Sequence, residues 1–250
     1  MEAVDPQTYR SWSYNTKERL CSFWHQADEV RRLGAMSVVE VGIGSGLVAG
    51  WLRDRGVQVT TVDVDPALEP DLCASVTDLP VDDGRYDAAL CCEVLEHLHF
   101  EDVVPALREL ARVARLGVVV SVPDDRPFVG TSYPLYFGMY VDMLRRRYPL
   151  RRSLAGALLR RQVRLRDAAF LAFMPERWSR GDAVLTLEPP PVPHSAWRHD
   201  FDGAHHWELG TEGFPVERLT AAFADAGLQV VRDFRVAENP WHHFWTLRPR

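Results

Sequence analysis

Nine consecutive residues constrain this chain more than any other feature: Val38-Val39-Glu40-Val41-Gly42-Ile43-Gly44-Ser45-Gly46. An apolar run ends in glycines at every second position and passes into Leu47–Arg55, whose apolar period is helical. That order predicts a buried strand, a tight turn and a helix. A loop without side chains brings backbone amides at a helix start up to a ligand. The spacing also excludes two classes of loop. A dinucleotide loop of the form Gly-x-Gly-x-x-Gly would carry its third glycine at position 47, which is Leu47. A triphosphate loop would end in Gly-Lys-Ser/Thr, which is absent here. Glu40 at the strand end would repel a pyrophosphate and suits a cationic ligand instead.

From Ser37 to Pro123 short apolar runs alternate with amphipathic ones, the pattern of β-α-β units and a parallel sheet. The expected strands are Val38–Val41, Gln58–Val62, Leu72–Val76, Tyr86–Cys92 and Gly117–Val122, with a second helix at Asp102–Ala114. Upstream, Leu20, Phe23, Trp24, Ala27 and Val30 recur at helical spacing, so residues 1–36 read as a helical arm or lid. After Pro123 the rhythm breaks, and Tyr136–Phe173 is arginine-rich and helical in period up to Pro189–Pro193. It resumes where Pro215 fits the first turn of a helix to Ala226 and Gly227 its end. Leu228–Val236 and His242–Leu247 then read as strands joined at Glu238-Asn239-Pro240, an antiparallel pair at one sheet edge. The expected divisions are a binding core at 37–123, a helical cap inserted at 124–200 and a completion of the sheet at 201–250.

Two more carboxylates fall where a ligand on the glycine loop would meet them. Val59-Thr60-Thr61-Val62-Asp63 ends the second strand with an acid placed to accept both hydroxyls of a ribose. Ser75-Val76-Thr77-Asp78-Leu79-Pro80 puts another past the third strand, where it could accept from an exocyclic amine.

Taken in order, these elements resemble the class I S-adenosylmethionine-dependent methyltransferases of the small-molecule type. Glu40–Gly46 resembles the family's first motif, Asp63 its ribose-binding acid and Asp78-Leu79-Pro80 its adenine-loop motif. Arg85–Leu98, with Tyr86-Asp87-Ala88-Ala89-Leu90-Cys91-Cys92-Glu93 and Val94-Leu95-Glu96-His97, resembles the fourth-strand motif and the helix after it. Ser121-Val122-Pro123-Asp124 resembles the fifth-strand exit. Arg115-Leu116-Gly117 departs from the Pro-Gly-Gly often found before that strand. The resemblance implies an α/β, Rossmann-like, mostly parallel seven-stranded sheet with the antiparallel C-terminal pair and the inserted cap. It implies S-adenosyl-L-methionine as cofactor, held by Glu40, Gly42, Gly44, Gly46, Asp63, Val64, Asp78, Leu79 and Glu93. It also implies methyl transfer to a small-molecule acceptor, with oxygen as the expected atom; a nitrogen or carbon acceptor and a non-catalytic binding protein are the alternatives.

An oxygen acceptor calls for a base, and histidine is the usual one. His97 comes soon after the fourth strand. His205-His206-Trp207-Glu208-Leu209-Gly210 resembles a histidine-bearing loop before the last helix of some of these enzymes, so His205 or His206 is the first choice and His97 the second. His199-Asp200-x-Asp202-x-x-His205-His206 matches no established metal template, and no metal is expected. Cys91 and Cys92 read as small buried hydrophobes, and His242-His243 as sheet surface. Tyr9, Trp12 and Tyr14 are read equally as a lid over the cofactor or as an anchor for the arm.

Composition sets the remaining bounds. The 250 residues are 46% hydrophobic and 26% charged, which is globular. A net charge of −6 argues against a nucleic-acid partner. No apolar run approaches the ~20 residues of a membrane span, and Met1–Pro6 lacks the apolar stretch of a signal peptide. Four cysteines without Cys-x-x-Cys spacing suit a reduced, cytoplasmic setting. Residues 143–180 hold eleven arginines, Arg145, Arg146 and Arg147 among them, against Asp167 and Glu176. Such a cluster is a solvated face or a receiver for an anionic or carrier-tethered acceptor. A homodimer is one assembly such a chain could adopt.

Overall fold

A computed structural model describes residues 6–126 and 205–250, together with the backbone of 129–130 and 186–187. The chain divides into two compact units, Met1–Phe128 with Glu188–Arg250, and Val129–Leu187. In the first, α1 (Pro6–Arg10) and α2 (Lys17–Leu33) lead into β1 (Ser37–Val41), α3 (Leu47–Arg53), β2 (Gln58–Asp63), β3 (Leu72–Cys73) and β4 (Tyr86–Cys92). A 3-10 turn at Leu95–His97 and α4 (Phe100–Val113) precede β5 (Ala114–Pro123). In the second unit β6 (Val129–Gly130) pairs antiparallel with β7 (Thr186–Leu187). Back in the first, α5 (Val216–Asp225), β8 (Leu228–Arg235) and β9 (His242–Pro249) complete the fold. The seven strands of the main sheet run in the order β3-β2-β1-β4-β5-β9-β8. The first five are parallel, while β9 and β8 are antiparallel, as expected.

Alternation along the strands builds both faces of the core. Val39, Val41, Ala89, Cys91, Val118, Val120 and Trp245 pack with Leu107, Leu110 and Phe223 of α4 and α5. Val38, Ala88, Leu90, Val119 and Phe244 pack with Phe23, Val30, Val48 and Leu52 of α2 and α3. Leu107, Leu110 and Val113 of α4 are completely buried, each worth ~1.5–3 kcal/mol of burial.

Several boundaries differ from expectation. The N-terminal segment is two helices, because Thr16 caps a new start by accepting from the Arg19 amide and the intervening residues form turns. The third strand stops at Cys73 because Ser75 turns back to bridge Asp78. The fifth begins at Ala114, directly after α4, so no turn stands at Arg115-Leu116-Gly117. A Cβ at Gly117 would lie 2.7 Å from the Leu247 carbonyl oxygen, so only glycine lets β9 come this close. His242 and His243 are core residues rather than sheet surface. His243 meets Asp124 through Nδ1 at 2.8 Å and Asp233 through Nε2, and stacks on Trp245. Burial pushes the Asp124 carboxyl up, but Arg126, His243 and Arg235 outweigh it and hold it below the ordinary range. The arginines of 143–180, with His194, His199, Asp200 and Asp202, lie outside the described residues.

Candidate functional site

The carboxyl ends of β1, β2 and β4 meet at the glycine loop, where an open α/β sheet binds ligands. Gly42, Gly44 and Gly46 all take positive φ, at 84°, 49° and 69°. A Cβ at Gly42 would run into Val94 Cγ2 after β4. Asp63 holds the loop from the next strand: Oδ2 accepts from the Ile43 amide and Oδ1 from the Asp65 amide, each at 3.0 Å. Each oxygen keeps a second lone-pair direction for a ligand hydroxyl. Val64, the next residue, is exposed.

Two tyrosines of the N-terminal segment stand over this loop. A Cβ at Gly44 would be 3.6 Å from Tyr14 Oη and 3.9 Å from Tyr9 Cδ1. The two rings meet edge to face at 5.0 Å, and Arg19 lies 4.2 Å over the Tyr14 ring. Burial, with Tyr14 and Asp63 adding to it, pushes the Tyr9 hydroxyl up to about 12. Trp12 is exposed.

Glu40 is buried on the α2 and α3 face of β1, with Oε2 lacking a hydrogen-bond partner among the described residues. Burial drives its carboxyl up to about 8, against the opposing pull of Arg53 and the Ala49 amide. A cation brought to this strand end would relieve it. Asp78 is exposed, whereas Leu79 belongs to the core. Both backbone groups of Leu79 are committed to α4: Glu109 accepts from its amide at 2.9 Å and Arg112 donates to its carbonyl at 2.9 Å. That clamp fixes the loop beside the exposed Asp78.

Beyond β4 the chain turns sharply. Glu93 takes a left-handed φ of 56°, which is strained for a residue with a Cβ. Its Oε1 accepts from the Ser121 hydroxyl at 2.6 Å, and Oε2 lies 3.5 Å from His242 Nε2. Glu96, one turn on, is completely buried, and neither carboxylate oxygen has a hydrogen-bond partner among the described residues. Burial, then Glu93, raises its carboxyl well above the ordinary range. Next to it the His97 and His205 rings meet edge to face at 4.8 Å, and His205 Nδ1 is 2.6 Å from Glu208 Oε1. The structure therefore joins His97 to His205 and separates His206, which is exposed and packs on His99. Burial pushes the thiols of Cys91 and Cys92 up, which disfavours the thiolate of each.

Sequence reasoning assigned no role to Glu96 or Glu208. Glu96 stands inside the fourth-strand motif, and Glu208 lies three residues after His205, yet only burial and contact distinguish them from solvated acids.

Comparisons with known proteins bear on the family and the fold. Residues 39–122 match the family model described as methyltransferase domain. An uncharacterized methyltransferase of Mycobacterium tuberculosis is 32% identical over 106 residues, 37% of this chain and 42% of that protein. A ubiquinone biosynthesis O-methyltransferase of Alkalilimnicola ehrlichii is 30% identical over 107 residues, 36% of this chain and 42% of that one. The match thus takes in less than half the length of these curated relatives. Among solved structures, the 1,6-didemethyltoxoflavin-N1-methyltransferase of Burkholderia thailandensis has a TM-score of 0.53 at 14% identity, covering 100% of this chain and 92% of its own. At that identity the likeness speaks to the fold alone. Among the described residues no helix is long and apolar enough to cross a membrane.

Proposed function

We propose that the chain is a class I S-adenosylmethionine-dependent methyltransferase, as the methyltransferase-domain match over residues 39–122 and the fold support, and that it transfers a methyl group from S-adenosylmethionine to an oxygen of a small-molecule acceptor. The observation that carries this reading is the joint geometry of the glycine loop and Asp63. Three residues without side chains follow β1, and the acid ending β2 holds their loop while keeping acceptor capacity for a ribose. The fit extends to the cofactor's charge: Glu40, with an unpartnered buried oxygen, suits the cationic methionine end, and Asp78 the adenine amine. Tyr9 and Tyr14 cover the loop and would keep water from the reacting face.

The bound cofactor supplies an already activated methyl group, so the chain's task is alignment and management of the acceptor's proton. His97 and His205 stand beside Glu96 past the end of β4, and Glu208 fixes the His205 ring through Nδ1. His205 is favoured over His206 because a carboxylate orients its ring, whereas His206 is exposed.

Calorimetric titration with S-adenosylmethionine beside NAD tests the cofactor, and transfer of a labelled methyl group to a panel of phenols, sugars and amines tests the acceptor. Binding of NAD in place of S-adenosylmethionine would overturn the reading. Label appearing on amines alone would overturn the oxygen assignment.

A further inference from the structure

Glu96 poses a physical problem that methyl transfer does not explain. A completely buried carboxyl group without a hydrogen bond is costly for a fold to hold even when neutral, and buried acids are normally paired or bound to a metal. Two imidazoles lie against it: one ligand atom each from Glu96, His97 and His205 can be chosen within 4.8 Å of one another. We propose that Glu96, His97 and His205 form a binding site for a divalent transition-metal cation.

The site is built from two segments more than a hundred residues apart. The turn Leu95–His97 supplies Glu96 and His97, and the segment before α5 supplies His205. Backbone and side-chain bonds hold the two together: the His206 amide donates to the Glu96 carbonyl at 2.8 Å, and Trp207 Nε1 donates to the Leu98 carbonyl at 3.2 Å. Glu208 holds His205 by Nδ1, so a metal on this ring would be met by Nε2. A carboxylate behind a ligating imidazole fixes its tautomer and strengthens it as a donor. Two nitrogens and one oxygen suit zinc, cobalt, manganese or ferrous iron, whereas magnesium and calcium prefer all-oxygen sites. Bonds of ~2.1 Å would draw tetrahedral ligand atoms to roughly 3.4 Å apart, so closing the site requires the side chains to rotate inward.

Three protein ligands leave open coordination positions, as at catalytic rather than structural sites. This inference rests on placing the acceptor at the same side chains. It changes how the acceptor's proton is lost: an acceptor oxygen bound at an open position ionises at lower pH because the cation stabilises the oxyanion. The imidazoles then serve as ligands, and the proton passes to solvent.

The test uses the full-length protein, stripped with chelator and titrated with Zn²⁺ by calorimetry and with Co²⁺ by visible absorption. One equivalent should bind per chain, with Co²⁺ showing the intense bands of a low-symmetry site with nitrogen ligands. Glu96→Gln and His205→Asn should each weaken binding at least tenfold. Circular dichroism and S-adenosylmethionine affinity, measured on the same samples, show whether each variant is folded; if Glu96→Gln is not, His205→Asn decides. No binding by the folded wild type, or equal binding by a folded variant, overturns the site. Metal binding without S-adenosylmethionine binding would overturn the proposed function and leave the metal site standing; the reverse pattern would do the opposite.

Discussion

The carboxylate of Asp63 accepts a 3.0 Å hydrogen bond from the Ile43 amide, so the end of β2 braces the glycine loop that follows β1. One side chain thereby shapes the cofactor cradle and, in the proposed function, contacts the cofactor.

Asp63→Ala should weaken S-adenosylmethionine by ~1.5–3 kcal/mol, the scale for hydrogen bonds to a charged group. Calorimetry reads this directly, and unchanged affinity would remove Asp63 from the ribose site.

Gly42→Ala should destabilise the fold by ~1–3 kcal/mol, since the residue needs φ near 84° and the new methyl group would strike Val94. Val94 is β-branched and turns aside poorly. Adding Val94→Ala should recover the steric part and leave the dihedral part. Urea midpoints of the single and double variants separate the two contributions.

Glu40 should make the ligand-free protein less stable as pH rises. Its carboxyl sits at about 8 in the fold against 4.5 as an ordinary glutamate, because burial disfavours the charge. Between those values the unfolded chain has lost a proton that the fold retains, so stability falls with rising pH. Glu40→Gln should flatten that fall. Melting temperatures of both proteins from about pH 5 to 9 check it, and parallel curves would assign the dependence to another group.

His205→Ala should lower methyl-transfer turnover by ~10²–10⁴, the range for losing an acid–base or proton-handling group, with cofactor affinity unchanged. His206→Ala should stay near wild type, because His206 is exposed and packs only on His99 among the rings described. Equal losses in the two variants would mean that the 205–206 backbone, pinned to the Glu96 carbonyl, carries the effect.

The strand–loop–helix at Val38–Gly46, the acid ending β2 and the antiparallel pair at the C-terminus were legible in the chain itself. Each is local: apolar period, glycine spacing and the residue after a strand are consequences of neighbours in sequence. Tertiary structure decided the rest. Only the packing of the 205–209 segment on the β4 exit brings His205 to His97 and leaves His206 outside, because adjacent residues in an irregular segment point apart. Only burial separates Glu96 from an ordinary solvated acid, since the cost of its charge depends on surroundings drawn from distant parts of the chain. His242 and His243 make the same point in reverse. Their alternation with aromatics fits a surface strand, but Asp124 and Asp233 supply the polar partners that allow His243 to be buried.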